Sequence, residues 1–520
     1  MRALLLTLIL VAAPLPAAPP ADFAATVEAL RREVGAVGIS IAIVEGGETT
    51  LARGWGEREL GRSVPVDADT IFETGSTGKA VTAAALALLV DEGRIAWDDP
   101  VIRHLPWFRM HDPWVTREIT VRDLLVHRSG LGLGQGDLLF VPRSRLSRRE
   151  TVERIAHLAP KTSFRSAYAY DNILYAVAGQ IIEDVTGKTW EDFVRSRVLR
   201  AGGMRTATTD GDERRRNSNR ARPHARVSGE VRGLGPQQRL DERQELGRAA
   251  APAGGLAFSA LDQAQWLKIQ LAQGALPEGG RLWSERQSAE MWQPVVLLPS
   301  PALPAPLSDT RPAFQGYALG WQVQHYRGER LILHGGAVFG AIARVVLIPE
   351  RGVGFAIMMN SEDSGLMQGL TWKLIDHYLA IPDRDWPTKW QQWFEGRLEA
   401  QRASLGSAAV ARAEVGPSLD LARYAGRYRD PWYGDVLIAL DGQSLLIDFT
   451  TNPGMRGRLS HWQYDTFLTE FPERGLEPAL VTFALDADGK VTGITMRRAN
   501  PQADFSWNYQ DLDLKPVAAP

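Results

Sequence analysis

A serine and a lysine three residues apart could give this chain a catalytic nucleophile. Ser76 and Lys79 end the segment Phe72-Glu73-Thr74-Gly75-Ser76-Thr77-Gly78-Lys79, where a run rich in alanine and leucine predicts a helix from Ser76 to about Glu92. Side chains three positions apart project from one helix face and can form a hydrogen bond. A serine hydroxyl needs a base to become a nucleophile, and lysine is one when burial lowers its pKa. The pair indicates acyl transfer, although a capping serine beside a solvated lysine has the same spacing.

Two further motifs follow in the chain. Tyr168-Ala169-Tyr170-Asp171-Asn172 precedes an amphipathic helical pattern, and His334-Gly335-Gly336 closes a strand-like run and heads a Gly-Gly turn. With Ser76 and Lys79, this order of motifs resembles the penicillin-binding and serine β-lactamase superfamily, in its class C-like branch of esterases and D-amino-acid peptidases. Shorter matches, such as Leu124 to Leu131, extend the resemblance through most of residues 25 to 380.

The resemblance implies a role for each matching position. It makes Ser76 the nucleophile and Lys79 its general base or proton shuttle. Tyr170 would relay protons to the leaving group and activate the deacylating water, whereas Tyr168 is expected to be a packed neighbour. Asn172 would orient Lys79 and bind the substrate amide, and it is also placed to cap the helix that follows.

The third motif departs from the lysine that the superfamily often has there. His334 takes that position, and Gly335, Gly336 and Ala337 complete the substrate-binding and oxyanion set. The backbone N–H of Ala337 would be the second oxyanion donor beside that of Ser76. Since histidine is a weaker and pH-dependent partner for a carboxylate than lysine, we expect weak or no β-lactamase activity.

These motifs predict a serine hydrolase that acts through an acyl-enzyme. The predicted substrates are small linear or unusual peptides, including D-residue-containing and linearised microcystin-like ones. A carboxylesterase and a non-catalytic penicillin-binding-like sensor are the alternatives. The arginine-rich segment 211–247 is expected to be a solvated loop, with the alternative that its arginines line the cleft and favour acidic ligands.

Composition excludes several other classes of protein. The 520 residues carry 59 basic and 61 acidic side chains, a net charge of -2, which gives no field to attract nucleic acid. The chain has no cysteine, and its nine histidines are scattered, so we expect no disulfide, no metal site and no cofactor. The expected partner is a small peptide or ester, and the oligomeric state stays open.

The elements that must position these residues predict an α/β (α+β) fold. The predicted hydrolase domain, 22–382, is β-lactamase/transpeptidase-like, with an antiparallel sheet flanked by helices and an all-α subdomain. The proline-rich segment 294–312 is expected to lack regular structure. A helical linker, 383–416, leads to residues 417–514, where short alternating strands predict an all-β unit that the resemblance makes a lipocalin-like barrel.

The N-terminus predicts export. Residues 1–18 combine Arg2, an apolar run and small residues, as a signal peptide does. The run is too short to span a bilayer, and no later stretch predicts a membrane span. The expected location is the periplasm or the cell exterior.

Overall fold

The computed structural model describes residues 18–242, 246–407, 413–473, 475–501 and 503–518. All but the last residue of the predicted signal peptide lies outside this part of the chain. No helix within it is both long and apolar enough to cross a bilayer.

The helices and strands of the described residues have the following bounds. The α-helices are α1 Phe23–Val34, α2 Lys79–Asp91, α3 Val101–His104, α4 Pro113–Glu118, α5 Arg148–Glu153, α6 Ile173–Thr186, α7 Trp190–Val194, α8 Gly211–Arg216, α9 Ala251–Gly254, α10 Ala260–Leu271, α11 Glu285–Trp292, α12 Ser364–Tyr378 and α13 Trp386–Ser407. The strands of the first domain are β1 Gly38–Glu45, β2 Glu48–Gly56, β3 Phe72–Glu73, β4 His224–Ala225, β5 Gln238–Arg239, β6 Ala257–Phe258, β7 Val296–Leu297, β8 Gln315–Tyr317, β9 Gln322–Tyr326, β10 Glu329–Val338, β11 Ala341–Ile348 and β12 Val353–Met359. The strands of the second domain are β13 Gly426–Asp430, β14 Gly434–Asp441, β15 Ser444–Phe449, β16 Arg456–Gln463, β17 Thr466–Glu470, β18 Ala479–Leu485, β19 Val491–Arg498 and β20 Asp513–Pro516.

An antiparallel sheet of eight strands divides the first domain into two layers. Its order is β2-β1-β12-β11-β10-β9-β8-β7. Strand β1 is buried throughout, since Ile39, Ile41 and Ile43 enter one core and Ala42 and Val44 the other. Helices α1, α12 and α13 cover the first face, while α2, α6 and α10 contribute to the core on the second. The mixed α/β fold with helices flanking an antiparallel sheet is therefore confirmed.

The third motif lies inside a strand, which corrects the prediction of a Gly-Gly turn. Strand β10 continues through His334, Gly335 and Gly336 to Val338, and the chain reverses only after it. Gly336 allows the backbone of β10 to lie close to the backbone of Thr74, because a Cβ at this position would be 1.9 Å from the carbonyl oxygen of Thr74. The motif is thus held against the residues that precede Ser76.

The proline-rich segment contains more regular structure than its composition predicts. Residues Val296–Leu297 form β7, which pairs with β8 at the sheet edge, and Ala305–Thr310 form a 3-10 helix. The prediction of no regular structure is therefore wrong. Strand β7 is at the edge of the sheet and is hydrogen-bonded on one side only. Prolines on either side of it are compatible with such a strand.

The second domain is a closed barrel formed by β13 to β20 in sequence order. The alternation of the sequence within 417–514 predicts β14, β15, β17, β18 and β19, and it does not predict β13, β16 and β20. Large aromatic side chains fill the interior, among them Tyr424, Tyr433, Phe449 and Tyr509, which are fully buried. The predicted all-β barrel is confirmed.

The barrel docks onto the loops that follow α4 in the first domain. Asn452 Nδ2 donates to the carbonyl oxygen of Pro142 at 2.6 Å, and Lys161 forms an ion pair with Asp511 at 2.8 Å. A Cβ on Gly134 would lie 2.1 Å from the carbonyl oxygen of Phe505. The buried side chains of the barrel continue one of the two cores of the first domain. The segment around Phe505 is thereby held beside the predicted site.

Candidate active site

Ser76 lies in a short 3-10 turn, Gly75–Gly78, that leads into α2, and Lys79 is the first residue of that helix. Lys79 is fully buried, and its Nζ lies 3.0 Å from Ser76 Oγ. Burial lowers the pKa of Lys79 to about 7, although the carboxyl groups of Asp137 and Asp171 oppose this shift. A sizeable fraction of the lysine is therefore neutral near neutral pH and available as a base.

The partners of Lys79 orient its lone pair. Its Nζ also lies 2.7 Å from Asn172 Oδ1 and 3.1 Å from the carbonyl oxygen of Ala253, and both of these atoms only accept hydrogen bonds. A neutral amine has two N–H groups, which these two acceptors use. The lone pair then faces Ser76 Oγ, as removal of the serine proton requires.

Tyr170 is the second group on the nucleophile. Its hydroxyl donates to Ser76 Oγ at 2.8 Å, and burial raises the pKa of Tyr170 well above its ordinary value. The phenol therefore keeps its proton and acts as a donor in the resting site. Tyr168 contacts no atom of Ser76 by hydrogen bond and packs against the ring of His127 at 5.8 Å.

We expect Tyr170→Phe to slow the acylation of Ser76 about 10²-fold, since a positioned proton donor contributes on that scale. The measurement is the limiting rate at which a fluorophosphonate labels Ser76. The matched control is Tyr168→Phe, which also removes one phenolic hydroxyl and should label at the wild-type rate. Equal slowing in both variants would contradict the role of Tyr170.

The labelling rate should depend on pH through Lys79. Below its pKa of about 7 the lysine is protonated and cannot accept the serine proton, so the rate should fall about tenfold per pH unit there and reach a plateau above. The uncatalysed hydrolysis of the probe at each pH is the control. A midpoint near 10, the ordinary lysine value, would contradict a buried lysine base.

Asn172 connects Lys79 to a buried carboxyl group. It stands at the N-cap position of α6, but its side chain does not cap the helix; the neighbouring Asp171 accepts the Leu174 N–H at 3.1 Å instead. Asn172 is thus free to accept from Lys79 and to donate through Nδ2 to Asp137 Oδ2 at 3.0 Å. Of the three tasks that the sequence allowed, the structure shows the contact with Lys79 and not the helix cap, and binding of the substrate amide stays a prediction.

Successive residues of the third motif lie on opposite sides of β10. His334 is 3% exposed and lies 2.8 Å from the Tyr317 hydroxyl, and burial lowers the pKa of His334 to about 3. It is neutral near pH 7 and is absent from the residues that line the cavity above Ser76, unlike Ala337. A Cβ on Gly75 would lie 2.7 Å from Ala337 N, so the backbone of Ala337 adjoins the serine turn. The expected pH-dependent carboxylate partner is therefore replaced by a buried, uncharged imidazole.

Sequence reasoning missed several groups around these residues. His127 lies under Tyr170, with ring centroids 4.2 Å apart, and accepts the Asp171 N–H at 3.2 Å. Asp137 follows a stretch with four glycines, Gly130, Gly132, Gly134 and Gly136, and Ser506 comes from the barrel. Asp137 meets Asn172 and Ser506 only in the folded chain. Neither Asp137 nor Ser506 belongs to a sequence motif, so spacing alone could not identify them.

The site opens into a cavity of about 730 Å³. Ser76 and Asn172 line it together with the loop at 226–237, helix α13 and the barrel segment 504–506. The arginines of that loop are already paired: Arg226 with Asp363 at 3.3 Å and Arg232 with Glu362 at 2.7 Å. The charges of these two arginines are therefore balanced within the protein, and their side chains form part of the cavity wall.

Comparisons with known proteins agree with this architecture. Residues 23–380 match the family model described as Beta-lactamase, and residues 411–516 match a domain of unknown function, DUF3471. Unguisins hydrolase ungD' of Aspergillus campestris is 28% identical over 448 residues, which cover 82% of this chain and 79% of that protein.

Two solved structures extend the comparison. The octameric penicillin-binding protein homologue from Pyrococcus abyssi has a TM-score of 0.57 at 21% identity, covering 92% of this chain and 98% of its own, so it shows a common fold. A D-stereospecific amidohydrolase from Streptomyces sp. has a TM-score of 0.51 at 25% identity, covering 66% of this chain and 96% of its own.

Proposed function

The chain belongs to the β-lactamase family of serine hydrolases, and on that premise we propose that it cleaves amide bonds of small peptides through an acyl-enzyme on Ser76. The observation that carries the proposal is the hydrogen-bonded group of Ser76, Lys79 and Tyr170 at the base of a cavity large enough for a short peptide. A peptide that contains D-residues is the preferred substrate, because the similar Streptomyces protein is a D-stereospecific amidohydrolase.

In the proposed acylation, neutral Lys79 takes the proton of Ser76 as Oγ bonds to the substrate carbonyl carbon. The backbone N–H groups of Ser76 and Ala337 stabilise the negative oxygen that forms. When the C–N bond breaks, the proton passes through Tyr170 or Lys79 to the leaving amine. A water molecule then repeats the sequence on the ester, transfers one proton to the same base, and releases the carboxylic acid and free Ser76.

Weak or no β-lactamase activity remains part of the proposal. A β-lactam carboxylate needs a cationic partner at the third motif, and His334 is buried, with its pKa lowered to about 3. A preference for acidic peptides is not proposed, because Arg226 and Arg232 already have carboxylate partners, and the third arginine of the cavity wall, Arg397, shares that wall with Glu33, Glu395 and Asp504.

A panel of matched substrates tests the function. Each short acyl group is offered as a peptide amide and as an ester, in L and D forms, to the wild type and to Ser76→Ala. We expect Ser76-dependent cleavage of amides, with D forms preferred. Good ester turnover without any amide cleavage would favour a carboxylesterase, and the absence of a Ser76 adduct with a fluorophosphonate would favour a non-catalytic binding protein.

Export to the periplasm or cell exterior is also proposed. It is supported by the charged, apolar and small residues of 1–18 in that order. N-terminal sequencing of the protein recovered from cell fractions tests it, and an uncleaved N-terminus in the cytoplasm would contradict it.

A further inference from the structure

We propose that the C-terminal barrel takes part in catalysis, with Ser506 and Asp137 acting as positioning residues that set the orientation of Asn172 and so of Lys79. The inference rests on the proposed function, because it assigns the barrel a task in the same site. It concerns a contact between domains that neither family model spans.

Four hydrogen bonds connect the barrel to the nucleophile. Ser506 Oγ donates to Asp137 Oδ2 at 2.8 Å, and Asn172 Nδ2 donates to that same oxygen at 3.0 Å. Asn172 Oδ1 lies 2.7 Å from Lys79 Nζ, which lies 3.0 Å from Ser76 Oγ. Asp137 and Lys79 are fully buried and Ser506 is 8% exposed, whereas Asn172 and Ser76 are half-buried and line the cavity.

The Asp137 carboxylate determines which end of the Asn172 amide faces Lys79. A carboxylate only accepts hydrogen bonds, so it holds the NH₂ end of the amide and leaves the oxygen for the lysine. If the amide turned over, its NH₂ group would face Lys79 and compete for the lone pair that must accept the serine proton. Asp137 therefore selects the productive orientation.

The hydrogen bond from Ser506 favours the ionised form of Asp137, which is the form that can do this. Burial raises the pKa of Asp137 to about 7, while the hydrogen bonds from Asn172 and Ser506 lower it. The Oδ1 atom of Asp137 is buried and has no hydrogen-bond partner among the described residues. Loss of the Ser506 hydroxyl would thus raise the pKa of Asp137 further and favour the protonated acid, which can donate as well as accept.

The docking of the barrel holds Ser506 in place. Beside it, Leu138 N donates to Asn508 Oδ1 at 3.3 Å, and the Phe505 ring meets the Tyr170 ring edge-on at 6.4 Å. The close approach of Gly134 to the carbonyl oxygen of Phe505 leaves no room for a side chain at that glycine. These contacts lie on the stretch that contains Asp137, so barrel and carboxyl group are positioned together.

Several titratable groups besides Asp137 face Lys79 and contribute to its charge state. Asp171 raises its pKa, and the lysine lies 4.9 Å and 5.1 Å from the ring centres of Tyr170 and Tyr175. The buried imidazoles of His127 and His334 interact with it electrostatically. On the barrel side, Asp504 acts on Asp137.

A double-mutant cycle on the full chain tests the proposal, with fluorophosphonate labelling of Ser76 as the readout. We expect Ser506→Ala to lower the limiting labelling rate about tenfold and Asp137→Ala about 10²-fold, because small misplacements of catalytic groups cost this much. The probe concentration that gives half the limiting rate should change little. In the Asp137→Ala background, Ser506→Ala should have almost no further effect.

The pH profile separates positioning from general loosening. Ionised Asp137 orients Asn172, and loss of the Ser506 hydroxyl raises the pKa of Asp137, so the labelling rate of Ser506→Ala should recover towards the wild-type rate as the pH rises above 7. A loosened interface would instead leave the rate lowered at every pH. Ser506→Thr keeps the hydroxyl and should restore the rate.

Lys161→Ala is the matched control, since it removes the ion pair with Asp511 across the same interface and should label at the wild-type rate. A wild-type rate in Ser506→Ala, or an equal fall in both backgrounds of the cycle, would overturn the positioning role alone. If the wild type itself is not labelled at Ser76, the proposed function fails and this role fails with it.

Discussion

Replacing Ser76 with alanine should lower the hydrolysis of peptide amides by at least about 10⁴-fold, because no other group can accept the acyl chain. The backbone N–H groups beside the serine remain in the variant, so substrate binding should persist. Intact mass measurement after exposure to a fluorophosphonate should show an adduct on the wild type and none on Ser76→Ala.

The substitution is expected to leave the fold intact. Ser76 lies in a short turn whose packing depends on its glycine and threonine neighbours, and the alanine side chain fits where the serine was. Ser308→Ala, which removes a hydroxyl from the proline-rich segment, is the control and should keep full activity. An adduct that persists in Ser76→Ala, or maps to another residue of the wild type, would contradict the assignment.

Replacing Lys79 with methionine should slow acylation of Ser76 by about 10³-fold without lowering the melting temperature. The rate falls because the serine loses its base, an effect of 10²- to 10⁴-fold in general acid–base catalysis. Methionine has an unbranched chain of similar length and fills the buried space. Labelling rate and thermal unfolding are measured on the same samples.

The stability effect should depend on pH in a defined way. The pKa of Lys79 falls from its usual 10.5 to about 7 on folding, so the folded state disfavours the bound proton. The resulting cost is fully present below pH 7 and disappears as the pH rises towards the unfolded value. Lys79→Met should therefore gain most in melting temperature, relative to the wild type, at low pH, and this gain should shrink towards pH 10.

A matched lysine tests whether burial is the cause. Lys188 is exposed after α6, and Lys188→Met should change neither the labelling rate nor the pH dependence of the melting temperature. A Lys79→Met variant that keeps the wild-type labelling rate would remove the lysine from the mechanism. A lower melting temperature at pH 6 would show that its hydrogen bonds outweigh its desolvation.

Local sequence determined the first members of the candidate site. Ser76 and Lys79 are three positions apart, so a single helical turn places them on one face, and in the structure Lys79 Nζ lies 3.0 Å from Ser76 Oγ. The alternation of β1 and β2 and of most barrel strands is local in the same way, because the side-chain period of a strand is two residues. Such features depend only on neighbours in the chain.

Tertiary structure decided what surrounds that pair. Whether His334 meets a substrate depends on which side of β10 it occupies and on Tyr317, and the structure buries it there. The arginines of 211–247 looked like solvated or ligand-binding charge, yet Arg232 is paired with Glu362, a residue that follows β12. Neither the burial of His334 nor the pairing of Arg232 can be predicted from a periodic pattern in the sequence.

The clearest case is the contact between Asp137 and Ser506, which are 369 positions apart. Ser76 and Lys79 could be recognised because their spacing is itself the signal. Asp137 and Ser506 meet only where the barrel packs against the first domain, and the burial of Asp137 exists only in the assembled chain. The sequence alone thus predicts a nucleophile and its base, and the contact between the domains supplies the residues that we propose orient that base.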